Sequence, residues 1–554
     1  MADIVFINPR FSPSYWGMNY ALPFLGAKSV LPVINLPLLA AITPPGHTVT
    51  IFDENVEDID YERCARADIV GLTGMNVQRG RMLEIVADLK ERGIFTVVGG
   101  PWVTVYPQDF ADIVDAIFIG EAEETWPRFL EEWAEGRHAT RYEQDGKTDM
   151  AKVPPPRLDL LPMSKYIYGS VQLSRGCPFT CEFCDIIVVF GRRPRVKTSA
   201  QVIAELEGCL AAGKDNLFIV DDNLIGNKKA IKAILRDIIA WQEARGYPLK
   251  FATEASIDLA EDDELLQLMA DANIDEVFIG IESPNEDALR ETKKIQNLTD
   301  KHGTLLDKVH KVQAVGIEVW CGMIVGFDTD DETVFDLQKR FIEAARIPLA
   351  MINVLTAIPR TPLYERLGKE GRLDTTGDLA SFGTISTNVI PKRISRQALC
   401  DGYLTLMREL YAAEAYFGRL DALYLDAPPL PPSARARYLR RHPWLQVKAK
   451  VWGVLEVAFI VTQLMREIPD PVLKRDYRKR LLKVLWRRPR MLRVYAIKCA
   501  LHFHFDRLIS GMTVDREKAG PEVDMRPVVP VEPHVSADVE MMDAHVPGAA
   551  VGMG

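Results

Sequence analysis

The chain has 554 residues, 47% of them apolar and 26% charged, with a formal net charge of -10. This length requires two or three domains rather than one core. The composition excludes a fibrous or disordered protein, and the charge excludes overall attraction to nucleic acid. The opening MADIVFINPR lacks the basic stretch and long apolar run of a secretory signal. The late apolar run Val451–Met465 contains Glu456 and falls short of the ~18–20 residues of a spanning helix. A cytoplasmic protein is the expectation.

From Asp3 to about Arg137, β-rich runs alternate with helical ones: DIVFIN, TVTIFDEN, DIVGLTGM, FTVVGG and DAIFIGE, separated by stretches such as RGRMLEIVADLKERG. This pattern predicts a Rossmann-like, doubly wound α/β domain over residues 1–150. Thr73, Gly74, Gly99, Gly100, Gly120 and Glu121 end successive strands, on the carboxyl edge where such sheets bind ligands. Glycines there serve tight strand-to-helix turns equally well.

A Pro-rich linker at 151–165 precedes a second β/α series, SVQLSRG, NLFIVDDN, LKFATEAS, EVFIGIES, EVWCGMIVGFD and LAMINVLTAIP. These six units over 166–380 predict a partial (β/α)6 TIM-like barrel. Polar residues fall at its strand C-termini: Asp221, Asp222, Asn223, Glu254 and Glu282. Any one of them alone fits a helix cap or surface charge, but their placement on successive strand ends points to a site. Residues 381–510 read as an α-helical domain, with 19 Lys/Arg against 5 Asp/Glu between Arg435 and Arg507, interleaved with Leu, Val, Trp and Tyr. Such helices fit either a solvated face or contact with the inner surface of a membrane. The stretch 511–554, rich in Pro, Val, Gly and acid, reads as a disordered tail.

Five of the eight cysteines are isolated, but SRGCPFTCEFC gathers Cys177, Cys181 and Cys184. Three thiolates at this spacing can surround one metal centre and provide one ligand fewer than a closed four-cysteine site. Zinc would need a fourth ligand, and His138 and His302 are distant in sequence. The other readings are free thiols and a [4Fe-4S] cluster with one open iron. In the following GRRPR, Arg192, Arg193 or Arg195 is a candidate to anchor the loop or offset cluster charge. Cys321 is either a hydrogen donor facing the cavity or a core thiol.

CPFTCEFC resembles the signature of the radical S-adenosylmethionine superfamily, whose cluster leaves its fourth iron to the amino and carboxylate groups of S-adenosylmethionine. The resemblance implies Cys177, Cys181 and Cys184 as cluster ligands and Phe183 near the adenine. VDDN places Asp221 and Asp222 where the family holds the methionine amino group. Glu254 falls at a cofactor-facing position, FIGIES with Glu282 matches a motif near the adenine, and GMIVGFD matches the sixth-strand motif. A Rossmann-like domain before such a barrel resembles the cobalamin-binding class. Its Asp-x-His-x-x-Gly motif is absent, and His47 in PPGHTV reads as structural. Thr73, Gly74, Gly99, Gly100, Gly120 and Glu121 are then the candidate cobalamin contacts.

CEFCDIIVVFGRRPR, VDDNLIGNKKA and the helical C-terminal domain resemble the branch that includes hopanoid C-2 methylases. This implies methyl transfer to an unactivated carbon of an apolar substrate, lipid or tetrapyrrole, using two equivalents of S-adenosylmethionine and a flavodoxin, ferredoxin or similar reductase as electron donor. The alternatives are a radical enzyme performing cyclisation or carbon–carbon coupling, and a non-catalytic iron–sulfur regulatory protein. No RNA-binding module is recognisable.

Overall fold

The computed structural model describes residues 1–298, 303–375 and 384–514. Strands β1 (Asp3–Asn8), β2 (Thr48–Asp53), β3 (Ile69–Thr73), β4 (Thr96–Gly99), β5 (Ala116–Ile119) and β6 (Arg141–Glu143) form a parallel sheet of order β2-β1-β3-β4-β5-β6. β1 and β3 are buried almost throughout because helices cover both faces, which is why their sequences are continuous apolar runs. The helix Arg79–Glu91 buries Met82, Ile85, Val86 and Leu89, the three- and four-residue spacing of one face. β6 lies beyond the five predicted strands; only Tyr142 of its three residues is buried, too short a pattern to read.

β7 (Gly169–Val171) leads into β8 (Ser174–Arg175), which pairs antiparallel with β9 (Arg195–Val196). β10 (Asn216–Ile219), β11 (Lys250–Glu254), β12 (Ile274–Glu282), β13 (Glu318–Val325) and β14 (Ala350–Val354) complete a second parallel sheet of order β14-β13-β12-β11-β10-β7. Each crossover steps to the adjacent strand, as in a TIM barrel, but β7 and β14 are not paired to each other. The barrel is therefore open on one side. Its α/β architecture is the predicted one.

The segment 9–34 straps that opening. Near one end, Ser170 Oγ donates to Pro32 O (2.9 Å), Tyr168 N donates to Val30 O (3.0 Å), and Ser29 bridges to Tyr166 beside β7. Near the other, the Tyr15 hydroxyl bonds that of Tyr403, which also bonds Ile352 O of β14. Between them Trp16 reaches Phe278 and Phe218, with ring centroids 4.8 and 6.2 Å apart. His504 holds the strap from outside: its Nδ1 accepts from Tyr20 N (3.3 Å) and its Nε2 lies 3.1 Å from Ser14 O. The first contact fixes the tautomer, so Nε2 is the donor.

Helices Arg396–Tyr411, Ala413–Asp421, Ala434–Arg441, Pro443–Glu467, Pro471–Arg487 and Leu492–Ser510 follow. The last is buried along most of its length, and its Lys498 pairs with Glu318 at the start of β13. β15 (Thr384–Ile385) pairs with β16 (Thr513–Val514), so a short strand stands within the first residues of the expected tail. Residues 515–554 of that tail lie outside the described residues. No helix among the described residues is long and apolar enough to cross a membrane.

Candidate active site

The carboxyl edges of the two sheets meet. Glu121, just beyond β5, pairs with Arg175 of β8 (3.0 Å) and Arg195 of β9 (2.8 Å) and accepts from Thr148 N (2.7 Å). Arg175 also reaches Glu123 (2.7 Å), and the Glu121 and Arg175 side chains are 1% and 7% exposed. Burial opposes ionisation of Glu121, but the two guanidiniums outweigh it and hold its pKa below the usual carboxylate value. The helix Ile186–Val189 inserts Val189 into the first domain's core with Trp102 and Val103. Arg360, beyond β14, donates to Thr104 O (2.6 Å).

The cysteine loop hangs between β8 and β9. At Gly176, φ is +92°, and a Cβ would stand 3.0 Å from Gly191 O and 3.1 Å from Arg193 O, so only glycine lets the two ends of the loop close. Cys177 N donates to Gly191 O (3.3 Å), Cys184 N to Cys181 O (3.2 Å), and Glu182 N to Thr292 O (3.0 Å). Glu182 pairs with Lys293 (2.8 Å) and Arg366 (3.0 Å), fastening the loop to the far side of the barrel mouth. Of the basic turn, Arg195 anchors the loop through Glu121 and Thr148 O (2.7 Å). Arg192 and Arg193 are exposed and, with Lys147 and Asp149, line a cavity of about 470 Å³.

Asn223 Nδ2 approaches Cys177 Sγ (3.8 Å) and Gln296 Nε2 approaches Cys181 Sγ (3.5 Å). Such amide dipoles favour thiolates and tune a bound cluster. Burial raises the pKa of Cys177, so metal loading must displace protons. Lys294 pairs with Glu282 (2.8 Å) and lies 5.8 Å over the Phe183 ring. Burial works against the Lys294 charge, but Glu282 and the Cys181 thiol outweigh it and raise its pKa. Lys294 and Gln296 come from the run KKIQN, a polar stretch with no periodicity that reads as surface; both are nevertheless buried. Nothing in the sequence marks them, because their partners lie far away in the chain.

The predicted carboxylates divide by what they touch. Asp221 accepts from Leu173 N (2.7 Å) and Ser174 Oγ (2.6 Å), and Asp222 from Gly176 N (2.7 Å). Both therefore support the backbone that launches the cysteine loop. Burial pushes their pKa values up to about 7 and about 6. Glu282 ends β12 after a register shift, at φ +62°, a left-handed conformation that non-glycine residues rarely adopt.

Glu254 lies in register with Phe278 and Trp320 on the inner face of the barrel. Its carboxylate has no hydrogen-bond partner among the described residues, and burial, followed by Asp222 and Asp221, pushes its pKa up to about 8. A raised acid pKa means that the folded state holds a proton the unfolded state has released, so Glu254 erodes stability as pH climbs from about 4.5 to about 8. Denaturation of the cofactor-free protein should show Glu254→Gln more stable than wild type at pH 9, on the order of 2–4 kcal/mol, and nearly equal at pH 5. A difference that does not change with pH would contradict the assignment.

Cys321 does not face the cavity. It pairs in register with Ile279 and Ala350 on the opposite face of the sheet from Phe278, and is fully buried. Strand alternation aims Trp320 and Gly322 inward and Cys321 outward, so it is a core thiol and not the hydrogen donor.

On the first sheet, Thr73 Oγ1 accepts from Asn35 Nδ2 (2.8 Å). A Cβ on Gly100, at φ +99°, would collide with Thr73 Oγ1 and stand 3.1 Å from Gly74 N, so these turns touch. Gly99 ends β4 beside them, and Gly120 N donates to Thr104 Oγ1 (2.9 Å). Met75 and Val77 are exposed on this edge. Glu121, predicted with this group, has its carboxylate taken up by Arg175 and Arg195 instead. His47 Nδ1 accepts from Ala2 N (3.1 Å) at the opposite edge of the sheet, a structural contact.

The donor set fits a cluster better than one ion. Among the described residues no group of three or more His, Cys, Asp or Glu side chains is arranged to hold a single metal ion, and the cysteine loop offers three thiols where a closed zinc site takes four ligands. Gln296 Oε1, whose amide points at Cys181, is buried without a partner, as expected beside a bound polar group.

Comparison with known proteins agrees with this geometry. A B12 binding domain matches residues 25–130, the radical SAM superfamily matches 171–340, and a domain of unknown function, DUF4070, matches 361–518. An uncharacterised methyltransferase of Synechocystis is 38% identical over 74% of this chain and 77% of the relative. The hopanoid C-2 methylase of Rhodopseudomonas palustris is 34% identical over 67% of this chain and 71% of the relative. A bacteriochlorophyllide d C-12(1)-methyltransferase of Chlorobaculum tepidum is 23% identical over 71% and 85%. The cobalamin-dependent radical enzyme OxsB shares the fold with a TM-score of 0.52 at 17% identity, covering 88% of this chain and 73% of its own. The meeting of a B12-type sheet with a three-cysteine barrel mouth, together with these relatives, places the chain in the family of cobalamin-dependent radical S-adenosylmethionine methyltransferases, enzymes that use a [4Fe-4S] cluster, S-adenosylmethionine and cobalamin.

Proposed function

We propose that this enzyme methylates an unactivated carbon of a large isoprenoid-type lipid. The observation that carries the reading is the aromatic inner face of the barrel, where Trp16 of the strap rests on Phe218 and Phe278 and Trp320 lies in register beside them. Such a surface binds a bulky apolar body by area and shape rather than by charge. The hopanoid C-2 methylase among the relatives supports the same substrate class.

When bound, the cluster and S-adenosylmethionine supply the radical oxidant, and cobalamin supplies the methyl group. Cys177, Cys181 and Cys184 hold the cluster. Glu254 accepts from the cofactor's ammonium or ribose, an interaction that favours its ionised form. Glu282 and Lys294 set the charge beside Phe183, against which the adenine packs. Asp221 and Asp222 act one step removed, by fixing residues 173–176. Thr73, Gly74, Gly99, Gly100 and Gly120 form the backbone cradle for the corrin and its tail. Glu121 is assigned to holding the two domains together. The electron arrives from a flavodoxin- or ferredoxin-type donor, and the substrate arrives from a membrane.

The test is mass spectrometry of lipid and pigment extracts from cells with and without the gene, fed methyl-labelled methionine. The expected result is a gene-dependent lipid about 14 Da heavier in unlabelled cells, and heavier still by the mass of the label in labelled ones. A labelled tetrapyrrole would replace the substrate class, and a gene-dependent product with another mass change would replace methylation with coupling or cyclisation.

A further inference from the structure

Among the described residues, the exposed large apolar side chains concentrate on two C-terminal helices. Trp444, Trp452 and Trp486 are 82%, 65% and 89% exposed, and Val451, Leu455, Phe459, Val472, Leu482 and Leu485 are also exposed. On the helix Pro443–Glu467 only Ile460 and Leu464 are buried. Helical spacing puts Trp444, Val451 and Leu455 on the opposite side, facing solvent. On the helix Pro471–Arg487 the buried side is Tyr477, Leu481 and Val484, and the opposite side carries Val472, Arg475, Lys479, Leu482 and Trp486. Scattered apolar residues are ordinary on a surface, but three open tryptophans and six further exposed apolar side chains on two successive helices mark a contact face.

The same helices are basic. Lys448, Lys450, Arg475 and Lys479 make no ion pair among the described residues, while Lys483 and Arg487 reach only Asp421 and Asp426 at its margin. This charge identifies the occupant. A second copy of the chain would bring like charge against like charge, and a neutral partner would leave the lysines and arginines without counter-ions. Tryptophan with interleaved Lys and Arg is the composition of a helix lying in the headgroup layer: rings at the acyl boundary, long basic stems carrying their charges out to phosphate. Neither helix is apolar enough to cross a bilayer.

We propose that the helix pair Pro443–Glu467 and Pro471–Arg487 docks the enzyme flat on an anionic lipid bilayer, which gives the domain of unknown function its task. Phe459 also lies against Gly26 of the strap, so the docked face adjoins the segment that carries Trp16 into the barrel. The lipid-substrate reading supplies the purpose of docking, but the docking is measured without turnover. Failure of either therefore leaves the other standing.

The test is co-sedimentation of the anaerobic holoenzyme with vesicles of phosphatidylcholine alone and of equal parts phosphatidylcholine and phosphatidylglycerol. Wild type should pellet with the anionic vesicles and be released by salt. Arg475→Ala with Lys479→Ala should weaken partitioning about thirtyfold, and Trp444→Ser, Trp452→Ser and Trp486→Ser together by at least about tenfold. Since these side chains point away from the body, iron content, corrin content and turnover of detergent-dispersed substrate should be unchanged. Absence of wild-type binding, equal binding by the variants, or equal binding to uncharged vesicles would overturn the proposal. So would a wild-type dimer in solution that the tryptophan substitutions split, since a second copy would then be the occupant.

Discussion

Cys181→Ala should contain little iron or sulfide after anaerobic reconstitution, show no cluster signal by electron paramagnetic resonance after reduction, and transfer no detectable methyl group. Cys181 is the most buried of the three thiols and the one approached by Gln296, so its loss removes a ligand where neither water nor another thiol can substitute. Two companion variants make the result specific. Gln296→Ala should keep the iron and shift the reduction potential, because it deletes a dipole aimed at one sulfur. Cys321→Ala should keep iron, potential and activity, because Cys321 lies on the outer face of its strand. Full iron and turnover in Cys181→Ala would remove the basis for the site.

Glu121→Ala should produce the largest loss of stability available from a single side chain at the domain junction. It leaves Arg175 and Arg195, both largely buried, facing each other without the carboxylate that joins them. Breaking a buried pair by removing one partner costs about 3–5 kcal/mol, because the remaining charge stays desolvated. Arg175 keeps Glu123, so the lower end is expected. Equilibrium denaturation would measure the loss, and methyl transfer should fall with it, since the proposed cobalamin cradle and the cysteine loop lie on the two sides of this junction. The exposed pair Arg157–Asp159 supplies a control whose removal should be silent. The pH dependence has a definite sign. The Glu121 pKa is lowered in the folded state, so its contribution is complete above about 4.5 and is lost as pH falls through the lower folded value. A Glu121→Ala protein as stable as wild type at neutral pH would mean that the junction is held by Arg175–Glu123, Arg360–Thr104 and the packing around Val189.

The strands of both sheets were legible because parallel strands leave near-continuous apolar runs, as in DIVFIN, buried on both faces, and VFIGI, fully buried at alternate residues. β6 was not, because a three-residue edge strand with one buried side chain carries no pattern. The cysteine trio was legible as a candidate ligand set because its spacing is local. The carboxylates were legible only as a group at the correct end of the barrel. Asp221 and Asp222 turn toward the backbone of residues 173–176, a choice made by a loop whose path the sequence does not display. Cys321 could have been assigned from strand parity: once Gly280 and Gly322 are placed on the inner face, the residue beside Gly322 must face outward. Lys294 and Gln296 carried no local signal of any kind.

The strap over the open side of the barrel has a consequence for how the enzyme is made. Ser14 leaves the ribosome 490 positions ahead of its partner His504. At roughly 5–20 residues per second, the interval between them is roughly 25–100 s. Until Tyr403 and then His504 emerge, the strap is fastened only on its β7 side, through Pro32 and Val30, and the three cysteines have already emerged. The growing chain thus leaves a workshop door open beside its own cysteine loop, and the helix Leu492–Ser510 shuts it.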